Sequence, residues 1–262
     1  MSAPYTAADG LVRVYPASPG DGSGLLWMHG GGFAAGDLDM PEADHVARTL
    51  AAGGTTVVSV DYRLVGEGCR YPAPSDDVLA AWDWMLARRS DLGITRTAIG
   101  GASAGGNLAA GAVLRMLADG AGELPDLVLL AYPTLLAVQP PPGRELRAAL
   151  DAAPDADRFG PDAVRGMYER FLGGPVDGAP VPAVPGTARP AQLAGHPPTL
   201  MVNGEVDELR VSGEVYAAAL RAPGCDIEVV TETGTQHGHL NRPHEPAASV
   251  TLARFARRLA GA

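Results

Sequence analysis

Ser103 stands in Gly101-Ala-Ser-Ala-Gly105, a G-x-S-x-G pentapeptide, and its setting counts for more than the match. The short run Thr97–Gly100 precedes it and the small-residue run Ala104–Leu117 follows, which predicts strand, turn and helix in direct succession. A turn of that kind lifts a serine hydroxyl clear of the end of a sheet, where it can act as a nucleophile. Glycines suit its flanks because a Cβ there meets neighbouring backbone. The helix start beneath offers N–H groups and positive potential to a developing oxyanion. A small-residue turn that only packs a helix on a sheet has the same composition, so the serine needs partners.

One partner is His29-Gly-Gly-Gly-Phe33, directly after the predicted strand Leu25–Met28. Three successive glycines cost about 0.5–1 kcal/mol each in backbone entropy relative to Ala. That cost makes sense where backbone N–H groups must come close to a ligand, the role such a loop has in lipases and esterases. The expected oxyanion donors are the N–H groups of Gly31 and Gly32, joined by that of Ala104.

A serine also needs a base, and the base an acid to orient it. The predicted strand Thr199–Asn203 leads into Gly204-Glu-Val-Asp-Glu-Leu-Arg210, which puts Asp207 just past its carboxyl end. Glu205 and Glu208 compete for the same role. The strand Ile227–Val230 leads into Thr235-Gln-His-Gly-His239, so His237 lies 30 residues beyond Asp207 (237 − 207) and ahead of the last helix. His239 is the rival base. A metal reading of His237, His239 and His244 lacks the i, i+4 spacing of a helical zinc site.

Strand-like runs alternate with helical ones throughout, the pattern of an α/β protein with a mostly parallel sheet. Strands are expected at Leu11–Tyr15, Leu25–Met28, Thr55–Val60, Thr97–Gly100, Leu127–Ala131, Thr199–Asn203 and Ile227–Val230. Helices are expected at Pro41–Ala52, Ser75–Arg89 with Ser75 as N-cap, Ala104–Leu117, Val211–Leu220 and Pro246–Leu259. Residues 139–198 are rich in Pro, Gly and Asp, with one convincing helix at Pro161–Leu172. The expected organisation is therefore one core, 1–136 with 196–262, interrupted by a cap insertion at 137–195.

Composition narrows the chemistry further. The 262 residues carry a net charge of −10, and all twenty basic residues are Arg. Without lysine the chain cannot form a Schiff base or a P-loop. Its acidity disfavours nucleic acid and anionic membrane surfaces as partners. Cys69 and Cys225 fit no metal spacing and read as isolated small apolar residues. Met-Ser-Ala-Pro-Tyr5 shows neither part of a secretory signal, and no apolar run nears the ~20 residues of a membrane span. A cytoplasmic protein without stable membrane association is expected, from a GC-rich bacterial genome. An oligomer is compatible with this reading.

The chain resembles the hormone-sensitive-lipase-like esterases of the α/β-hydrolase fold. The matching segments are His29-Gly-Gly-Gly-Phe33, Asp61-Tyr-Arg-Leu64, Tyr71-Pro-Ala73, Gly101-Ala-Ser-Ala-Gly-Gly-Asn107, Tyr132-Pro133, Val206-Asp-Glu-Leu-Arg210 and His237-Gly238. By this resemblance Ser103 is the nucleophile, Asp207 the acid and His237 the base, because the family's acid precedes a residue-Leu-Arg stretch. Three features depart from the family pattern. Ala102 stands where Asp is frequent, His239 stands where Phe is frequent, and His29 comes after only 28 residues. The last leaves the insertion to form most of the cap and predicts a wide, wet pocket.

The implied activity is that of a serine carboxylesterase acting on small or medium esters through an acyl-enzyme, with no metal or organic cofactor. Alternatives on the same triad are an arylformamidase-like amide hydrolase and a hydrolase or cyclase of secondary metabolites. A non-catalytic small-molecule receptor on this fold would lack part of the triad.

Overall fold

Runs of β-branched and apolar residues buried on both faces build the centre of the molecule. The structure, a computed structural model, describes residues 3–120 and 122–261. Its strands are β1 (Tyr5–Ala7), β2 (Val12–Tyr15), β3 (Ser23–Met28), β4 (Thr56–Val60), β5 (Arg96–Ala102), β6 (Leu127–Ala131), β7 (Thr199–Val206) and β8 (Ile227–Gln236). They form one sheet in the order β1-β2-β4-β3-β5-β6-β7-β8. Pairing is antiparallel at β1/β2 and β2/β4 and parallel from β4 to β8.

Every residue of β3, β4 and β6 is buried, as expected where helices cover both faces of a parallel sheet. On one face lie α1 (Asp44–Ala52) and α8 (Pro246–Leu259), packing Val46, Leu50, Leu252 and Phe255 against Leu25, Trp27 and Leu129. On the other lie α2 (Ala73–Ala87), α3 (Ala104–Asp119) and α7 (Arg210–Arg221), over Leu26, Ile99, Leu130 and Met201. Among the described residues no helix is long and apolar enough to cross a membrane.

The sheet and its five flanking helices follow the sequence expectation closely, with three corrections. First, α1 begins at Asp44, not Pro41. Second, Ser75 caps nothing: α2 already starts at Ala73 behind Pro72, and the buried Ser75 hydroxyl accepts a hydrogen bond from Arg115 at 2.9 Å. Third, β8 runs on to Gln236 beside a lengthened β7, and β1 adds an edge strand that three residues cannot announce in a sequence.

The segment between β6 and β7 holds three helices: α4 (Arg144–Ala152), α5 (Pro161–Leu172) and α6 (Pro190–Leu193). α4 was hidden among Pro and Asp residues, yet its Leu146 and Leu150 recur at i, i+4 and are buried against Val211 of α7. In α5, Tyr168 and Phe171 are fully buried. Phe171 stacks on Phe33 with ring centroids 3.9 Å apart, and Tyr71 meets it edge-on at 5.5 Å. The Tyr168 hydroxyl donates to the Thr134 carbonyl at 3.0 Å and accepts from Asn107 at 2.8 Å. The aromatic stripe of α5 is therefore a seat on the core. Cys69 and Cys225 are free and half-buried.

Candidate active site

All parallel strands end on the same edge, and each delivers residues of interest there: His29 after β3, Asp61 after β4, Ser103 after β5, Tyr132 after β6, Asp207 after β7 and His237 after β8. Ligands of open α/β sheets bind outside this edge. Between β5 and α3 the chain reverses so tightly that Ser103 takes φ 53°, ψ −115°, a strained conformation for a residue with a side chain. A Cβ on Gly105 would strike the carbonyl oxygens of Met28 and His29, and one on Gly101 would strike the backbone of Gly105. The two flanking glycines are thus required by close approach of backbone.

The turn is fixed from both sides. Ser103 N–H donates to the Ala131 carbonyl at 2.9 Å, and its own carbonyl accepts from Asn107 N–H at 3.1 Å and Thr134 N–H at 3.3 Å. The Ser103 hydroxyl lies 2.9 Å from His237 Nε2, and His237 Nδ1 lies 2.7 Å from Asp207 Oδ2. The other Asp207 oxygen accepts from Leu209 N–H at 3.0 Å. Asp207 is completely buried, so its carboxylate faces the imidazole and backbone rather than water. Three residues from three strand ends form one hydrogen-bonded line.

The rival residues go elsewhere. Glu205 accepts from Gly234 N–H at 2.7 Å. Glu208 faces Asp157, and burial first and then that neighbour push its pKa up. His239 is fully buried, its Nε2 2.9 Å from the Thr251 hydroxyl and its ring edge-on to Tyr132 at 4.9 Å. Burial lowers its pKa to about 4, so at neutral pH it is an uncharged ring in an aromatic slot.

The glycine loop comes close above the turn. Gly31 has φ +115° and Gly32 φ +60°, and a Cβ on Gly31 would meet the Ala35 carbonyl. Gly31, Gly32 and Ser103 line one cleft of about 430 Å³, together with Phe159, Met167 and His237. Ser103 keeps 7% and His237 8% of its surface exposed, so the hydroxyl lies at the floor of this cleft. From the insertion, Phe159 stands edge-on to the His237 ring at 4.5 Å. Phe159 and Met167 therefore wall the cleft, while Tyr168 and Phe171 of the same segment do not.

Glu42 was invisible in the sequence. It is 2% exposed and lies directly beside the glycine loop. Its Oε1 accepts from Gly30 N–H at 2.6 Å and its Oε2 from the Tyr132 hydroxyl at 2.7 Å. The Tyr132 pKa is pushed well up, by burial and by Glu42, which keeps the hydroxyl a donor. Tyr62 secures the other side, donating to the His29 carbonyl at 2.8 Å and stacking on the His29 ring at 4.5 Å. The Asp-Tyr-Arg and Tyr-Pro segments pointed to Tyr62 and Tyr132 as matches without a role; nothing marked Glu42.

A mostly parallel sheet in this order, with a strained serine between its central strand and the following helix, is the architecture of an α/β hydrolase. A family model described as alpha/beta hydrolase fold matches residues 25–241. Carboxylesterase NlhH of Mycobacterium tuberculosis is 39% identical over 246 residues, covering 89% of this chain and 73% of the relative. Esterase LipI of the same organism is 34% identical over 238 residues, covering 87% and 70%. The crystal structure of EstE1, a thermostable carboxylesterase from a metagenomic library, superposes with a TM-score of 0.82 at 29% identity, covering 100% of this chain and 88% of that one. The chain belongs to the hormone-sensitive-lipase-like esterase family of the α/β-hydrolase fold.

Proposed function

We propose that this carboxylic-ester hydrolase works through Ser103 as nucleophile, His237 as general base and Asp207 as the orienting acid. The observation that carries the assignment is the unbroken line from the Ser103 hydroxyl through both ring nitrogens of His237 to Asp207, at 2.9 and 2.7 Å. His237 Nε2 takes the hydroxyl proton as Ser103 Oγ attacks the ester carbonyl carbon. The carbonyl π pair moves onto oxygen, and the N–H groups of Gly31, Gly32 and Ala104 receive the oxyanion. Collapse expels the alcohol, which leaves with the proton from His237. Water, deprotonated by the same nitrogen, then cleaves the acyl-enzyme and regenerates the serine. Asp207 keeps the proton-bearing nitrogen turned away from Ser103 and stabilises the imidazolium.

The segment 137–195 serves as the cap of a core formed by 1–136 and 196–262, supplying Phe159 and Met167 to the cleft. The substrate is a small-molecule ester, and none of these steps calls for a metal or an organic cofactor. Hydrolysis of p-nitrophenyl acetate with a burst of nitrophenol, abolished in Ser103→Ala, tests the assignment. Turnover by the variant at a tenth of the parent rate would overturn it.

A further inference from the structure

The cleft is more cationic than the rest of the molecule. With thirty acidic and twenty basic residues, the chain as a whole repels anions. Yet the charged side chains lining the cleft are two arginines, Arg158 and Arg242, and one carboxylate, Glu42. Glu42 is buried and spends both oxygens on Gly30 and Tyr132, facing the protein.

The two arginines come from different segments. Arg242 follows the base loop and is tied down: its Nε lies 2.9 Å from Glu245, and its terminal nitrogens reach the carbonyls of His237 and Gln236 at 3.5 and 3.4 Å. Arg158 belongs to the insertion and is exposed. Its neighbour Asp157 is held by Arg147 at 2.5 Å. Arg158 itself has no ion-pair partner among the described residues, and its guanidinium stands 5.8 Å from the ring of Phe159. Phe159 in turn covers His237. Guanidinium, phenyl ring and imidazole thus follow one another across the base side of the cleft.

The chemistry gives that side a meaning. His237 must hand its proton to the leaving oxygen, so the alcohol part of the ester lies toward His237. We propose that the preferred substrates are esters whose alcohol part carries a carboxylate, seated against Arg158 with Arg242 behind it. Arg158 offers a planar fork of donors to such a group, and Phe159 limits the fork's freedom. This inference rests on the Ser103 hydrolase reading above.

The test compares 4-acetoxybenzoate with methyl 4-acetoxybenzoate, which share the acetyl group and differ in charge on the alcohol part. The readout is the ratio of their kcat/KM values, anionic over neutral. That ratio is expected to drop about fivefold in Arg158→Gln and about tenfold or more in Arg158→Glu, and to fall with added salt in the parent enzyme. A ratio unchanged in both variants overturns the proposal, while acetyl hydrolysis by the parent leaves the hydrolase reading standing. Failure of the parent enzyme to hydrolyse either ester would overturn the reading beneath it. Succinate mono-4-nitrophenyl ester places the charge on the acyl part; a stronger dependence on Arg158 there would contradict the assignment to the alcohol side.

Discussion

The strand-end edge and the insertion meet at one cleft but are built on different principles. At the edge, backbone does the positioning. Ser103 is held in a strained turn by hydrogen bonds to Ala131, Asn107 and Thr134, and Glu42 and Tyr62 clasp the glycine loop from two sides. In the insertion, packing does the positioning. Phe33, Tyr71, Tyr168 and Phe171 interlock, and Arg147 pairs with Asp151 and Asp157 at the surface. Directional constraints admit few residue types, whereas packing constraints admit many. The first region should therefore respond to substitution in kcat, and the second in stability and KM.

The largest effects should come from the line of hydrogen bonds itself. Ser103→Ala and His237→Ala should each lower kcat by about 10⁴-fold or more, with far-ultraviolet circular dichroism unchanged. His239→Ala should lose little by comparison, since that ring faces Thr251 and Tyr132. The reverse order of the two histidine variants would show that the base sits two residues later. Asp207→Asn should lower kcat about 10³–10⁴-fold, because the amide favours the wrong imidazole tautomer. Glu205→Gln and Glu208→Gln should each stay within tenfold of the parent in the same assay.

Glu42 sharpens the contrast, because it is buried and both its carboxylate oxygens hold the edge, one at Gly30 and one at Tyr132. Glu42→Ala removes the acceptor for Gly30 N–H and the Tyr132 hydroxyl, and should lower kcat about 10–10²-fold with KM little changed. Restoration of most of that loss by Glu42→Asp, measured in steady-state kinetics, would mark it as a positioning residue. An equal loss in both, accompanied by a large fall in melting temperature, would make it a structural one. For the insertion, Phe171→Ala should destabilise the fold by about 3–5 kcal/mol, read from urea unfolding, and raise KM more than it lowers kcat. A collapse of kcat with an unchanged unfolding midpoint would break the division between the two regions.

A smaller effect couples pH to two buried histidines. His239 at the edge and His196 just past the insertion are both buried, and burial lowers each pKa from the ordinary 6.5 to about 4. Unfolded chains take up these protons below pH 6.5, while the folded protein refuses them until about pH 4. The stability present above pH 6.5 is therefore lost as pH falls through that window. Urea midpoints at pH 7, 5.5 and 4.5 should show this fall. His239→Phe, which places the family's frequent aromatic in the slot, should make it shallower.

The same division explains what the sequence could tell. Ser103 and the glycine loop were readable because a strained turn and a close backbone approach demand Gly and Ser in a fixed order. His237 was placed by its position in the loop after the last predicted strand, and only the family pattern set it above His239. Asp207 was separated from Glu205 and Glu208 only through the family pattern, since three carboxylates in four residues carry no distinguishing spacing. Glu42 left no trace, because its two hydrogen bonds span 12 and 90 residues of chain. In the insertion the one helix with an apolar stripe was legible, whereas α4 buries only Leu146 and Leu150 and was lost among Pro and Asp. Which aromatics seat α5 and which wall the cleft depends on tertiary contacts that helical spacing does not encode.

Covalent labelling reads the activation of Ser103 by His237 directly. The protein should react with a fluorophosphonate to give a single adduct, mapped by peptide mass spectrometry to the serine of Gly101-Ala-Ser-Ala-Gly105. The adduct should be absent in Ser103→Ala and should form at least a hundredfold more slowly in His237→Ala. An adduct on another residue, or labelling of His237→Ala at the parent rate, would contradict the account.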